Sequence, residues 1–391
     1  MTDQERELLQ PASDGPEAPE GESTNDIEQA GTRLLGNKRR MITVLVAFLL
    51  LIVGIYVLLP KVVGVRHSLS RLSDPEWGWV AVAVGFNALS FVAYAALFRG
   101  ILGGTEDEDI VYKRLDFNAS FKITMAGVAA STLFSAAGAG GVALTYWALR
   151  KAGMERRRAA CRMVAFIVLL YTVYAVALIV FGILLQTPWI HGKAPVAGTI
   201  VPAGLALSAI LITGLIAFIP ADLERRIARH QDKRWVHRLA TVPATVSTGV
   251  RTAISYLRHP RSGAWAIGGA VGYWTAMLGI LWACFHAYGG GVPFGVVVMG
   301  FFVGMAANLA PSPAAGVGTL DAGLIGAFLL FDIPSDTVFP AVLTFRLVGF
   351  WLPIIPGVIA YFALRRQVNT WADDAEEVSY TSESKVTAEA K

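Results

Sequence analysis

Two ionisable residues lie inside otherwise apolar stretches in the C-terminal third of the chain. Asp321 has apolar neighbours on both sides, and Arg346 is the only charged residue within Val338–Leu364. A charge at the centre of a bilayer costs about 2.5–3.5 kcal/mol on insertion scales, so such residues usually face the protein interior and pair. We therefore expect Asp321 and Arg346 to lie close together. Arg346 could bind a phosphate group through a bidentate contact, while Asp321 orients the guanidinium or takes up a proton. A purely structural ion pair is the alternative.

Two apolar regions, 121–149 and 293–331, are interrupted by glycine, proline and small polar residues. The interruptions are Ser135, Gly138, Gly140 and Gly141 in the first region, and Asn308, Pro311, Ser312, Pro313, Gly316 and Gly318 in the second. Broken helical backbone is tolerated in lipid only where protein buries it or a water-filled cavity meets it. The breaks therefore predict an internal polar cavity, in which exposed helix N-termini would attract anions. The alternative is a glycine seam that lets helices pack closely.

The candidate site residues follow from these charges and breaks. The primary candidates for binding a phosphate or headgroup are Arg346, Asp321, Asn308, Ser312, Gly316 and Gly318, and the secondary ones are Arg99, Ser135, Gly140, Thr145 and His286. Arg99 has snorkelling to the membrane interface as its alternative role, and His286 has simple packing. The sequence contains no Walker A, GxSxG, HExxH or Cys/His metal spacing, so we predict no catalytic residue, metal site or cofactor.

The composition indicates that these residues are positioned by helices in a membrane. Of the 391 residues, 54% are hydrophobic and 16% are charged, whereas soluble domains carry about 25% charged residues. About 20 consecutive apolar residues are needed to cross the hydrocarbon core. Six segments meet this length: Met41–Leu59, Trp77–Phe98, Met163–Leu185, Val196–Ile219, Ala264–Tyr288 and Val338–Leu364.

Basic residues predict the orientation of these spans, because cytoplasmic loops are enriched in Lys and Arg. Basic clusters precede the first and third spans, fill the stretch 221–262 and follow the last span, which places both termini in the cytoplasm. Each interrupted region must then enter and leave on one face of the membrane, as a re-entrant hairpin of two short helices. The order span, hairpin, span occurs twice with opposite orientation, a recurring transporter design. We therefore predict an all-α integral membrane protein of about six spans and two re-entrant hairpins in an inverted repeat.

Polar segments flank and interrupt this membrane domain. Residues 1–36 and 367–391 are acidic and poor in apolar residues, so we predict disordered tails around a transmembrane domain at 37–366. The stretch 221–262 is basic and either lies on anionic lipid as an amphipathic segment or forms a solvated cytoplasmic loop. It contains no recognisable nucleic-acid module, and we predict no nucleic-acid partner.

The stretch Asn308–Gly357 resembles the transmembrane, flippase-like region of bacterial lysylphosphatidylglycerol synthases and their stand-alone relatives. The family has a Pro-Gly-Gly-x-Gly-type break, matched by Pro313, Gly316 and Gly318, and then an acidic residue, usually Glu, where this chain has Asp321. About two dozen residues later it has an Arg, matched by Arg346. The match continues through Trp351, Pro353 and Gly357, whereas Thr145 stands where family members carry an Arg in the first hairpin. The resemblance implies a stand-alone member without the aminoacyl transferase domain.

The resemblance implies a role in moving a lipid between leaflets of the bacterial plasma membrane. The substrate would be an anionic or aminoacylated phospholipid, or a polyprenyl-phosphate-linked sugar, passing through a polar cavity at mid-depth. Without a nucleotide site, transport would run downhill or on an ion gradient. Two alternatives remain open: an intramembrane transferase acting on a lipid-linked substrate, and a non-catalytic membrane partner of a cell-envelope glycosyltransferase. Whether the chain is an enzyme is left open, and a cell-envelope biosynthetic enzyme is a possible partner.

Overall fold

The structure is a computed structural model that describes residues 75–103, 109–133, 139–187, 195–218, 234–259, 263–309 and 318–389. Every regular element in these ranges is a helix. The α-helices are α1 (Trp77–Leu102), α2 (Asp109–Arg114), α3 (Phe117–Leu133), α4 (Ala139–Lys151), α5 (Arg156–Leu184), α6 (Ile200–Ile216), α7 (Arg234–Arg258), α8 (Ala264–Ala287), α9 (Phe294–Met305), α10 (Thr319–Leu330), α11 (Ser335–Arg346) and α12 (Ile354–Glu389).

Five helical segments of the described ranges are long and apolar enough to cross a membrane. They are Trp77–Leu102, Arg156–Leu184, Val196–Ile216, Ala264–Ala287 and Ser335–Trp371. These five coincide with five of the six predicted spans, and the remaining one, Met41–Leu59, lies outside the described residues. The described part of the chain is therefore all-helical, with the several apolar helices of a multi-pass membrane protein.

The last of these segments differs from the single helix that its apolar sequence predicts. α11 ends at Arg346, a π-helical turn covers Leu347–Trp351, and α12 begins at Ile354. Pro353 has no N–H to continue an α-helical ladder, and the Leu352 N–H instead donates to the Leu347 carbonyl oxygen, five residues earlier, at 2.9 Å.

α12 also continues past residue 366, the predicted end of the transmembrane domain. It extends to Glu389, so residues 367–389 of the segment that was predicted to be disordered are helical. The first turns of this extension are held by the rest of the protein, because the side chains of Val368 and Trp371 are buried and the Arg114 guanidinium donates to the Trp371 carbonyl oxygen at 3.0 Å. The acidic composition of the segment therefore did not prevent helix formation.

Both interrupted regions form antiparallel helical hairpins, α3–α4 and α9–α10. A Cβ placed on Gly127 would lie 3.6 Å from the Thr145 hydroxyl, and one placed on Gly141 would lie 2.5 Å from the Gly127 carbonyl oxygen. In the second hairpin, a Cβ on Gly304 would lie 2.6 Å from the Leu324 Cα. Gly141 of the first break thus packs closely against α3, as the glycine-seam alternative predicted, whereas a Cβ on Gly318 of the second break would meet nothing within 4 Å. Re-entrance of the hairpins into the membrane stays a prediction.

Helices α1 and α8 form an antiparallel pair at the centre of the fold. The Glu76 N–H, just before α1, donates to the Ala287 carbonyl oxygen at the end of α8 at 2.9 Å. At the opposite end of the pair, a Cβ on Gly100 would lie 2.6 Å from the Ala266 nitrogen. Since α1 and α8 open the two predicted repeats, their opposite directions agree with an inverted arrangement.

Each hairpin also packs against the long helix that closes the other repeat. In the first hairpin, the Lys122 ammonium donates to Gln367 of α12 at 3.0 Å, and a Cβ on Gly357 would lie 2.7 Å from the Met125 carbonyl oxygen. In the second, the Tyr174 hydroxyl of α5 donates to the Phe302 carbonyl oxygen of α9. The contacts α3–α12 and α9–α5 therefore interlock the two repeats.

The described part of the chain has a strong charge difference between its two ends. The end formed by the starts of α3 and α5 and the end of α4 carries many basic residues: Arg99, Arg114, Lys122, Arg150, Lys151, Arg156, Arg157, Arg158, Arg258, Arg365 and Arg366. At the opposite end, the described residues carry Glu76, Asp332 and Asp336 but neither Lys nor Arg. Both hairpins begin and end at a single end, the first at the basic one and the second at the acidic one.

Part of the basic stretch 221–262 is a helix that lies against the membrane domain. α7 contacts α5, where a Cβ on Gly249 would lie 2.6 Å from the Val164 Cβ, and its Arg251 donates to the Ala217 carbonyl oxygen at 2.7 Å. Residues 219–233 and 260–262 lie outside the described ranges. The buried face of this amphipathic segment is therefore covered by protein, and its contact with anionic lipid stays a prediction.

Candidate functional site

The structure brings Asp321 and Arg346 into direct contact. The Arg346 Nε lies 2.8 Å from the Asp321 Oδ1, the arginine side chain is fully buried, and the aspartate is 5% exposed. Arg346 is the largest fully buried side chain in the described part of the protein. A pair this deeply buried must compensate the loss of hydration of both charges, and removing one partner of such a pair is strongly destabilising.

The position of Asp321 follows from how α10 begins. Gly318 precedes the helix with φ +86°, a backbone conformation that glycine adopts far more readily than other residues. Its N–H donates to the Asp321 Oδ2 at 3.1 Å, so the carboxylate caps the helix with one oxygen and meets Arg346 with the other. The same contact places a negative charge in the first turn of α10, where the helix dipole favours it.

The π-helical turn after Arg346 surrounds its guanidinium with aromatic rings. The Arg346 Cζ lies 4.3 Å from the ring centroid of Phe350 and 5.5 Å from that of Trp351. Both distances fall within the range of cation–π attraction, which strengthens when the cation is desolvated. The arginine is thus held by a carboxylate from α10 and by two rings from its own chain segment.

Several primary candidates near the second break fall at or beyond the limits of the described structure. Ser312 and Gly316 lie in the undescribed segment 310–317, and the Asn308 side chain is likewise not described, although its backbone belongs to a 3-10 turn, Ala306–Leu309. Gly318 is exposed at the start of α10. Their predicted role as ligands therefore stays a prediction.

Two of the secondary candidates, Arg99 and His286, lie at opposite ends of the described structure. Arg99 donates to the Leu115 carbonyl oxygen at 2.8 Å at the basic end of the protein, where its Cζ lies 5.1 Å from the Tyr112 ring centroid. His286 lies near the acidic end, with its ring centroid 4.8 Å from that of Trp79 and 4.2 Å from that of Trp282. These contacts give both side chains a local structural role.

The remaining secondary candidates belong to the first hairpin. Gly140 and Thr145 lie on α4, where Thr145 faces Gly127 of α3, and Ser135 lies in the undescribed segment 134–138. Thr145 therefore has a packing role between the two helices of the hairpin.

Two features of the structure were missed by sequence reasoning. Asn87 is a buried amide near the middle of α1, and the only sequence signal for it was a polar residue inside an apolar span. Phe350 follows Arg346 by four residues, a spacing that places two side chains on one face of a helix. Pro353 indicated an irregular backbone nearby. Neither signal is specific without the three-dimensional arrangement.

The chemistry available at the pair is electrostatic. The guanidinium can bind a phosphate diester through two N–H donors, and the carboxylate can orient it or exchange a proton. Among the described residues, no group of three or more His, Cys, Asp or Glu side chains could hold a metal ion.

Comparison with known proteins identifies the family to which the chain belongs. A search of curated proteins found no match. The family model of the lysylphosphatidylglycerol synthase transmembrane region matches residues 41–357, which include both hairpins, Asp321 and Arg346. Because this match covers most of the 391 residues, the chain belongs to the lysylphosphatidylglycerol synthase transmembrane-region family.

Proposed function

We propose that this protein is a lipid translocase that moves a phosphate-bearing lipid between the leaflets of the plasma membrane. The substrate would be an anionic or aminoacylated phospholipid, or a polyprenyl-phosphate-linked sugar. The observation that carries the proposal is the buried contact of 2.8 Å between Arg346 and Asp321, formed where a helix begins and another is interrupted. An intramembrane charge in such a place is usually functional.

The arrangement of the two repeats supports transport rather than chemistry. The two hairpins open from opposite ends of the described structure, and each packs against the other repeat's long helix. Small rearrangements between interlocked repeats would expose the pair first to one leaflet and then to the other, while the acyl chains stay in lipid. The lipid phosphate would bind the Arg346 guanidinium in place of groups that contact it in this structure, Asp321 and the two aromatic rings.

The charge difference between the two ends supports an orientation. Basic residues favour the cytoplasmic side, so the end carrying Arg150, Lys151 and Arg156 would face the cytoplasm, and the end carrying Asp332 and Asp336 would face outward. Helix α12 runs to the basic end, which would place the C-terminus in the cytoplasm. The positive-inside rule, applied to the basic residues before the first predicted span, would place the N-terminus in the cytoplasm as well. A cell-envelope enzyme could then receive the translocated lipid.

A leaflet-exchange assay tests the proposal. Purified protein is reconstituted into phosphatidylcholine vesicles with a trace of fluorescent phosphatidylglycerol, and an impermeant reductant measures the fraction of label that changes leaflets. We expect the double substitution Asp321→Asn with Arg346→Met to reduce exchange by at least tenfold, because neither charge remains buried while the phosphate contact is lost. Arg365→Met, on the exposed surface of α12, is the matched control.

Two results would count against a translocase. Unchanged exchange in the folded double variant would show that the pair does not bind the moving headgroup. Product formation from a lipid-linked donor by protein in detergent, where leaflets do not exist, would favour the intramembrane transferase instead.

A further inference from the structure

The amide of Asn87 is a buried polar group that the fold itself does not explain. The residue is 6% exposed, and its Oδ1 has no hydrogen-bond donor among the described residues. The neighbouring buried hydroxyl of Ser90 is already used, because it donates to the Asn87 main-chain carbonyl at 2.7 Å. A buried acceptor without a donor destabilises a protein, so its presence in an apolar helix calls for a partner.

Asn87 and Arg346 both lie far from the ends of the protein. Asn87 is ten residues after Trp77, the start of α1, which corresponds to about 15 Å along the helix. Arg346 is eleven residues after Ser335, the start of α11, or about 16 Å. Both helices start at the acidic end of the protein, so Asn87 and Arg346 both lie well inside the membrane domain.

The helix that carries Asn87 also meets the chain segment that follows Arg346. Helix α1 packs directly against the turn Leu347–Trp351, which follows Arg346. The ring of Phe86, the residue before the amide, covers Gly279 of α8, and a Cβ on Gly349 would lie 3.9 Å from the Ile280 side chain, the next residue of α8. Helix α1 therefore meets the segment that follows the ion pair from the opposite repeat.

We propose that Asn87 is a headgroup-recognition residue, whose amide oxygen accepts a hydrogen bond from a hydroxyl or ammonium group of the lipid whose phosphate Arg346 binds. This inference rests on the proposed function. It divides recognition between the two repeats: α11 supplies the cation for the phosphate, and α1 supplies an acceptor for the group that the phosphate carries. A phosphodiester whose headgroup lacks a donor would leave the amide oxygen without a partner and bind less well.

Two lipids of equal charge test the inference in the unaltered protein. Phosphatidylglycerol carries headgroup hydroxyls, whereas phosphatidylmethanol has the same phosphodiester charge and a methyl group instead. Protein purified in mild detergent is equilibrated with an equimolar mixture of the two lipids with identical acyl chains, and native mass spectrometry measures the ratio of the bound species. We expect phosphatidylglycerol to exceed phosphatidylmethanol about fivefold, the contribution of one hydrogen bond. Equal amounts of the two bound lipids would overturn the inference.

A variant then assigns the preference to the amide. Asn87→Leu should abolish the preference for phosphatidylglycerol while leaving phosphatidylmethanol binding within twofold, and it should melt at the same temperature as the unaltered protein or higher, because an apolar side chain replaces an acceptor without a donor. Ser90→Ala is the matched control, since the Ser90 hydroxyl is used within the helix. A preference that survives in Asn87→Leu would show that another group reads the headgroup.

The proposed function fails in a different way. If the double substitution Asp321→Asn with Arg346→Met binds both lipids as the unaltered protein does, the phosphate site itself is wrong. If that variant loses both lipids while Asn87→Leu keeps the preference for phosphatidylglycerol, the phosphate site stands and only the role of Asn87 is refuted.

Discussion

Removing the charge of Arg346 alone should destabilise the protein far more than removing both charges of the ion pair. Arg346→Met keeps an unbranched side chain of similar length but leaves the Asp321 carboxylate, 5% exposed, without the guanidinium that lies 2.8 Å away. Breaking a buried pair in this way costs about 3–5 kcal/mol of unfolding free energy. Asp321→Asn should cost a similar amount, since it leaves the arginine uncompensated.

The double substitution separates the ion pair from other effects. Asn at position 321 retains an oxygen that can accept the Gly318 N–H, so the cap of α10 survives while the charge disappears. With neither charge present, we expect Asp321→Asn combined with Arg346→Met to cost no more than about 1–2 kcal/mol. The two single effects would then exceed the double effect by several kcal/mol, which is the coupling energy of the pair.

Unfolding by sodium dodecyl sulfate in mixed micelles measures these free energies for the unaltered protein, both single variants and the double variant. Arg365→Met, which removes an exposed charge from α12, should change stability by less than about 0.5 kcal/mol and serves as the control. Additive single effects, with the double variant as unstable as their sum, would refute the direct contact and with it the site built on that contact.

Two further predictions concern glycines that the fold requires. Gly318→Ala should destabilise the protein by about 1–3 kcal/mol through backbone strain alone, because φ is +86° and a Cβ there would meet nothing within 4 Å. Thermal unfolding measures this loss of stability. An unchanged melting temperature would contradict the assigned start of α10. Gly357→Ala should lower the unfolding free energy by about 1–3 kcal/mol, because its Cβ would lie 2.7 Å from the Met125 carbonyl oxygen. Gly326→Ala is the control and should be neutral or stabilising, because a Cβ there would lie in open space on α10. Equal melting temperatures of these two variants would contradict the packing of α3 on α12.

The ion pair could be predicted from sequence because intramembrane charges are rare. Asp321 and Arg346 stand in apolar surroundings, and the physical cost of each charge requires a partner. The five described spans were predicted for a related reason, since their length and apolar content are set by the thickness of the bilayer. The two helical hairpins were predicted from the glycine-rich breaks in the apolar sequence.

The details around the site depended on tertiary structure. The turn Leu347–Trp351 adopts a π-helical form that places Phe350 over the guanidinium, and an apolar run containing Pro353 is compatible with several other irregular conformations. Arg99 was a secondary headgroup candidate, but its bond to the Leu115 carbonyl oxygen depends on how α1 meets the segment before α3. Likewise, α12 continues beyond residue 366, where Trp371 is buried and its carbonyl oxygen accepts a hydrogen bond from Arg114, a residue distant in sequence.

The exchange of packing partners between repeats has a consequence for biogenesis. The ribosome makes the first hairpin, α3–α4, about two hundred residues before it makes α12, the helix whose Gly357 receives the Met125 backbone. During that interval the surface of α3 around Met125 and Ala129 lacks its partner on α12, and incomplete chains expose it to lipid, to chaperones or to proteases. Loss of the C-terminal helix therefore removes the insertion partner of an early segment, and cells should degrade such truncated chains while they are still being assembled.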